Sequence, residues 1–189
     1  DISWLAVRTS ESAGIIDVLG LSDPEPVTWR QGISAVCGDY WDSYAPLDAV
    51  LSRVYITPVV EVWRLAIGGW VGEGGWVSEG GVRGFDGVVE YCRTLSKRYG
   101  EAHAFTSQGR MGWYSWVLAR EGDVYRRYFL NTKREIDEGP PTPAEQSDAG
   151  SSGENTVMAI AGECSVDPRA FSRDTPFESE GLLAITAWG

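Results

Sequence analysis

Apolar residues recur along this chain with two periods, and each change of period marks an element. "SWLAVRT" (Ser3 to Thr9) predicts a strand, and Thr9 or Ser10 then caps a helix that runs to Leu19 and stops at Gly20. "VTWRQGISAV" (Val27 to Val36) reads as a second strand bent at Gly32, with "DPEP" (Asp23 to Pro26) as a turn before it. From Gly38 to Pro58 the pattern is weak. "VEVWRLAIGG" (Val60 to Gly69) predicts another strand. Val88, Cys92, Leu95 and Tyr99 then fall on one face of a helix that starts near Asp86 and ends at Gly100. "EAHAFTSQ" (Glu101 to Gln108) predicts a strand. "WYSWVLAR" and "VYRRYFL" predict a hairpin that turns at Gly122. The first arm is apolar on both faces, which places it inside a sheet. Asn155 caps a short helix to Ala161, and "GLLAITAW" closes the chain as a strand.

This order predicts an α+β fold with a mixed, largely antiparallel sheet and two principal helices. The two β-α-β openings, "WLAVRT" and "WRLAIGG" with their helices, leave open a division into related subdomains at residues 1–59 and 60–189. Residues 131–154 are rich in Pro, Gly, Ser and acids, and they read as a mobile loop or linker.

Charge narrows the function classes. With 16 basic and 27 acidic residues, the 189-residue chain carries a formal net charge of −11. That sign repels phosphate backbones and anionic lipid, so neither nucleic acid nor membrane is an expected partner. A basic peptide or a basic protein face is attracted instead. No apolar run reaches the roughly 20 residues of a membrane span. No signal peptide is legible. Three scattered cysteines, Cys37, Cys92 and Cys164, form no Cys-x-x-Cys pair and fit a reducing cytoplasm.

Several stretches carry a resemblance: "RYGEAHAF", "GWYSWVLAREGDVYRRYF", "DEGPPTPAEQ" and "VMAIAGECSVDP". They resemble an uncharacterised family of small acidic bacterial proteins. In that family a strand of the pattern W-x-L-A-x-x-G-x-V-x-R-x-Y precedes a G-P-x-T-x-x-E segment and an A-G-x-x-S-x-x-P segment. The match spans Val62 to Arg169, and "SWLAVRT" fits too. The family brings no assigned activity. The place of relatives near peptide-derived natural-product pathways implies an accessory, precursor-binding role. This chain departs from the pattern in its Gly-rich hexads, Gly68 to Gly84.

Those hexads, "GGWVGE" and "GGWVSE", are no phosphate cradle. A P-loop needs a lysine where Glu73 and Glu79 stand here. What the loop offers is two rings, Trp70 and Trp76, which either cap the domain's own core or dock a partner. Arginines are the second clue, for Arg64 and Arg126 sit inside predicted strands. Beside an aromatic such as Tyr128 an arginine can seat a carboxylate or a peptide chain. Arg126 and Arg127 point to opposite faces, so at most one serves such a seat.

Catalytic signals are thin. His103 is the single histidine and lies in a strand, a position that suits a satisfied core residue better than a general base. One histidine and three scattered cysteines lack the short paired spacings of a zinc site. No metal or cofactor is expected. The binding residues are taken as Trp70, Trp76, Arg64, Arg126 and Tyr128. The expected function is a non-catalytic binder of a peptide or protein partner, in its leading version an accessory that holds a precursor peptide in ribosomal natural-product biosynthesis. Two alternatives remain open: an immunity or antitoxin-like protein that neutralises a basic toxin, and a small enzyme built on His103 or a carboxylate pair.

Overall fold

The computed structural model describes residues 2–41, 51–72, 84–131, 135–147 and 153–187. Among these residues nine strands form one sheet: β1 (Ile2–Val7), β2 (Ser22–Val27), β3 (Arg53–Ile56), β4 (Arg64–Ile67), β5 (Glu101–Gln108), β6 (Trp113–Arg120), β7 (Asp123–Leu130), β8 (Glu135–Glu138) and β9 (Gly181–Ile185). Their order across the sheet is β2-β9-β3-β4-β1-β5-β6-β7-β8. Every neighbouring pair is antiparallel. The α+β class with a largely antiparallel sheet therefore holds. Strands from the first 59 residues interleave with later ones, since β9 lies between β2 and β3 and β4 lies between β3 and β1. No described helix is long and apolar enough to cross a membrane.

Helices cover both faces because the strands alternate in the usual way. Leu5 and Val7 of β1 point to one face and join α1 (Ala13–Leu19), α3 (Gly69–Gly72) and α4 (Gly84–Tyr99) through Ile15, Leu19, Trp70, Val88, Cys92 and Leu95. Trp4 and Ala6 point to the other face and join α2 (Trp29–Trp41) and α6 (Glu154–Cys164) through Trp29, Val36, Val157, Ile160 and Ala161. Along this second face one cross-strand row runs almost the width of the sheet: Leu183, Tyr55, Ile67, Trp4, Phe105, Trp116, Tyr128. Trp4 stacks on Phe105 at 5.1 Å and Trp116 on Tyr128 at 4.1 Å between ring centroids. Cross-strand aromatic pairs of this kind fix register. Trp4 Nε1, Trp116 Nε1 and the Tyr55 hydroxyl are buried there with no hydrogen-bond partner among the described residues.

Two predicted elements are corrected. Val27 to Val36 is not a strand: β2 covers Ser22–Val27, including the expected "DPEP" turn, and a helix begins at Trp29. The cause is a capping box. Thr28 Oγ1 accepts from Gln31 N at 3.3 Å, and Gln31 Oε1 accepts from Thr28 N at 2.9 Å. Gly32 then lets α2 lie against β3, since a Cβ there would stand 2.2 Å from the Tyr55 ring. The second correction concerns residues 131–154, read as a loop. Residues 135–138 form β8, and α5 (Pro143–Ser147) follows. Four polar-rich residues and a five-residue helix give too few apolar positions for any period to emerge.

The β6–β7 hairpin and the β5 strand stand where the pattern placed them. Glu121 and Gly122 both take positive φ in the two-residue turn, as a hairpin of matching twist requires.

Candidate functional site

The groups most capable of chemistry are enclosed. His103 on β5 is 1% exposed, and its Nδ1 accepts from Ala119 N at 3.3 Å. The Trp63 ring lies 5.4 Å away, centroid to centroid. Burial pushes the imidazole pKa down to about 4, so the ring is neutral near pH 7. Burial also raises all three thiols: Cys92 far above the usual range, Cys164 to about 11, and Cys37 above its ordinary value. None is thereby activated as a thiolate. Among the described residues no group of three or more His, Cys, Asp or Glu could hold a metal ion.

The predicted binding residues separate onto the two faces of the sheet. Trp70 sits in the core beneath α1, 5% exposed, with its Nε1 donating to Leu19 O at 3.2 Å. Arg64, on the same face, donates from Nε to Ser10 O at 3.0 Å and from Nη1 to Thr57 O at 2.7 Å. Burial lowers its pKa. Both side chains tie the chain to itself. Trp76 lies outside the described residues. Arg126 and Tyr128 are together on the opposite face, where Arg126 stands 5.7 Å from the Tyr128 ring centroid.

Arg126 organises a corner built from β7, β8 and α5. Its side chain is 2% exposed, and every guanidinium nitrogen is engaged. Nε donates to Glu145 Oε1 at 3.1 Å, and Nη2 donates to the same oxygen. Nη1 reaches Asp137 Oδ1 at 2.5 Å, Glu138 O at 3.2 Å and Gly139 O at 3.1 Å. Burial opposes the charge, but Glu145 and Asp137 outweigh it and hold the pKa above the ordinary arginine value. Charge-assisted, multidentate pairing of this kind is what a buried arginine needs.

The sequence supplies each part of the clamp. Thr142, Pro143 and Glu145 form a second capping box: Thr142 N donates to Glu145 Oε2 at 2.8 Å, and Glu145 N donates to Thr142 Oγ1 at 3.2 Å. Glu145 thus caps α5 and neutralises Arg126 at once. Gly139 has φ +86°, and a Cβ there would meet Tyr125 O at 2.1 Å, so only glycine lets the chain pass this close to β7. Glu163 of α6 takes Ala144 N at 2.8 Å. On the other face Arg127 pairs with Glu138 through two hydrogen bonds of 2.9 Å.

Several of these residues stand in three stretches singled out from the sequence. Trp116, Gly122, Arg126 and Tyr128 occupy the W, G, R and Y of the first, and Gly139, Thr142 and Glu145 the G, T and E of the second. In the third, Ser165 Oγ donates to Ala161 O at 3.1 Å, closing the end of α6. The first two of these stretches meet at the Arg126 corner.

What that corner presents outward is the edge of the sheet. β8 is the last strand, and Glu135, Asp137 and Glu138 are all exposed on it. The opposite edge, β2, is also exposed, but Pro24 and Pro26 sit within it. A groove of about 280 Å³ runs beside β8, between β7 and α4, with Val89, Arg93 and Arg127 among its walls.

No family model matches the chain, and no curated protein or solved structure matches it either.

Proposed function

We propose that the protein is a non-catalytic binder of a basic peptide or a basic protein segment, engaged at the β7–β8–α5 corner. The observation that carries this reading is the unequal pair of sheet edges. Both edges carry exposed carboxylates, Asp23 and Glu25 on β2 and Glu135, Asp137 and Glu138 on β8, but only β2 is interrupted by prolines, and β8 keeps every main-chain donor. The net charge of −11 adds a long-range field of the same sign. The enclosure of His103 and the engagement of Glu145 with Arg126 also favour binding over bond-breaking, because both groups are already committed to partners inside the fold.

Within this reading the partner is a precursor peptide of ribosomal natural-product biosynthesis, and the resemblance described above is what favours it. Neutralisation of a basic toxin is the second version, favoured by the acidity alone. Calorimetric titration separates them. The accessory role predicts micromolar binding to lysine-rich extended peptides, weakening as salt rises. Subnanomolar affinity for one folded basic protein and none for peptides favours the toxin version. Absence of binding to either class contradicts the proposal.

A further inference from the structure

We infer that the partner binds by strand addition: an extended basic peptide hydrogen-bonds to the outer side of β8 and continues the sheet. The inference rests on the binding reading above and specifies its mode. An edge strand leaves the main-chain N–H and C=O groups of alternate residues pointing away from its neighbour. On β8 that neighbour is β7, paired from Arg127 with Glu138 to Leu130 with Glu135. Among the described residues the outward groups of β8 face no further strand.

The two edges are defended differently, and the difference selects the partner. Pro24 lies where the register of β2 shifts between Ser22 and Glu25, and Pro26 follows opposite Leu182, the edge and bulge positions to which proline is confined in a sheet. β2 therefore lacks main-chain donors at two positions and is irregular along its length. β8 keeps its donors and relies on charge. Arg126 is shared between Asp137 and Glu145, Arg127 pairs with Glu138, and Glu135 stands outside both pairs, so the corner keeps a net negative charge; a second copy would bring the same charge against it, and like charges facing each other across strands are unfavourable. A lysine- or arginine-bearing strand meets the opposite sign.

The clamp makes β8 a firm template. Arg126 holds Asp137, Glu138 and Gly139 from behind, and Arg127 holds Glu138 from the other face. A pre-ordered edge spares the incoming peptide the cost of ordering both partners. Strand addition takes its affinity from main-chain hydrogen bonds and its selectivity from alternate side chains.

The test uses the intact protein and a short alternating Lys–Val peptide in three forms: unmodified, and N-methylated on either set of alternate residues. An N-methyl group removes one donor and leaves charge unchanged. Strand addition predicts that methylation of one set weakens binding at least ~10-fold while the other set binds nearly as the parent. Glu135→Lys, which reverses an exposed charge outside the Arg126 network, should weaken the parent ~10-fold or more. If the parent binds and both methylated forms bind equally well, strand addition is wrong and the charge-based binding reading survives. If neither the parent nor any other basic peptide binds, that reading fails as well.

Discussion

The two ends of the sheet solve the same problem by opposite means. β2 is made unattractive by covalent structure, since Pro24 and Pro26 carry no main-chain donor and its register shifts between Ser22 and Glu25. β8 keeps a full main chain and is guarded by charge, since Arg126 and Arg127 offset Asp137 and Glu138 only in part and Glu135 stands outside both pairs. A chain that merely needed to avoid aggregation could have used proline at both ends. It instead spends a buried arginine, a capping box and a left-handed glycine on fixing β8 in place. The teaching is that a rigid, selectively guarded edge differs from a closed one.

The largest expected effect comes from breaking the clamp. Arg126→Met leaves the buried Glu145 without its cation, and removal of one partner from a buried pair costs about 3–5 kcal/mol. Urea unfolding should show that loss. Arg8→Met, whose partner Glu101 it meets on the surface with the arginine 56% exposed, should cost about 0–1 kcal/mol. Equal losses in the two variants would remove the special status given to the β8 corner.

The sheet's centre provides a reference between the edges. His103 has a folded pKa near 4 against an ordinary 6.5, so the unfolded chain takes up the proton first as pH falls. Its contribution is full above pH ~6.5 and is lost as pH drops through about 4, which amounts to about 2 kcal/mol between pH 7.5 and 5. In His103→Gln that part of the pH dependence of stability should vanish, while the carboxylate part remains. An unchanged slope would mean that the imidazole is solvated.

A finer comparison sets the two capping boxes side by side. Thr28→Ala, beside β2, should cost about 0.5–1 kcal/mol by loss of a helix cap alone. Thr142→Ala should cost more, about 1–2 kcal/mol, because Glu145 also serves Arg126. The smallest effect on stability, within about 0.5 kcal/mol, is expected for the double change Pro24→Ala and Pro26→Ala on the exposed edge. Its readout is stoichiometry: calorimetry should reveal a second, weaker peptide site where the native chain has one. A single site in the double variant would show that proline is not what closes β2.

Most strands were legible because their apolar pattern is long. β5 appeared with its observed bounds, and the β6–β7 hairpin carried a turn signal. The failures share a cause. Val27 to Val36 contains enough β-branched and aromatic residues to pass for a strand, yet Thr28 and Gln31 form a capping box that decides for helix. The same Thr-x-x-Glu signature stands at Thr142 and Glu145 inside the stretch read as a loop. Both boxes could have been found by spacing alone. β8 could not, because its four residues are held by Arg126, Arg127 and the β7 main chain, partners that only the fold brings near.

The site was legible in part. Arg126 and Tyr128 do lie together, at the corner that carries the open edge, but as its internal support rather than as contact surface. Trp70 and Arg64 belong to the opposite face and serve the core and loop contacts there. An open edge strand such as "EIDE" gives no signal in sequence, since the groups it leaves unpaired are main-chain atoms that every residue has.

Amide hydrogen exchange of the intact protein, with and without the Lys–Val peptide, tests the guarded-edge account most directly. The account predicts that alternate amides of Glu135 to Glu138 slow on binding while those of Ser22 to Val27 keep their rates. Protection that spares β8, or that falls equally on both edges, would contradict it.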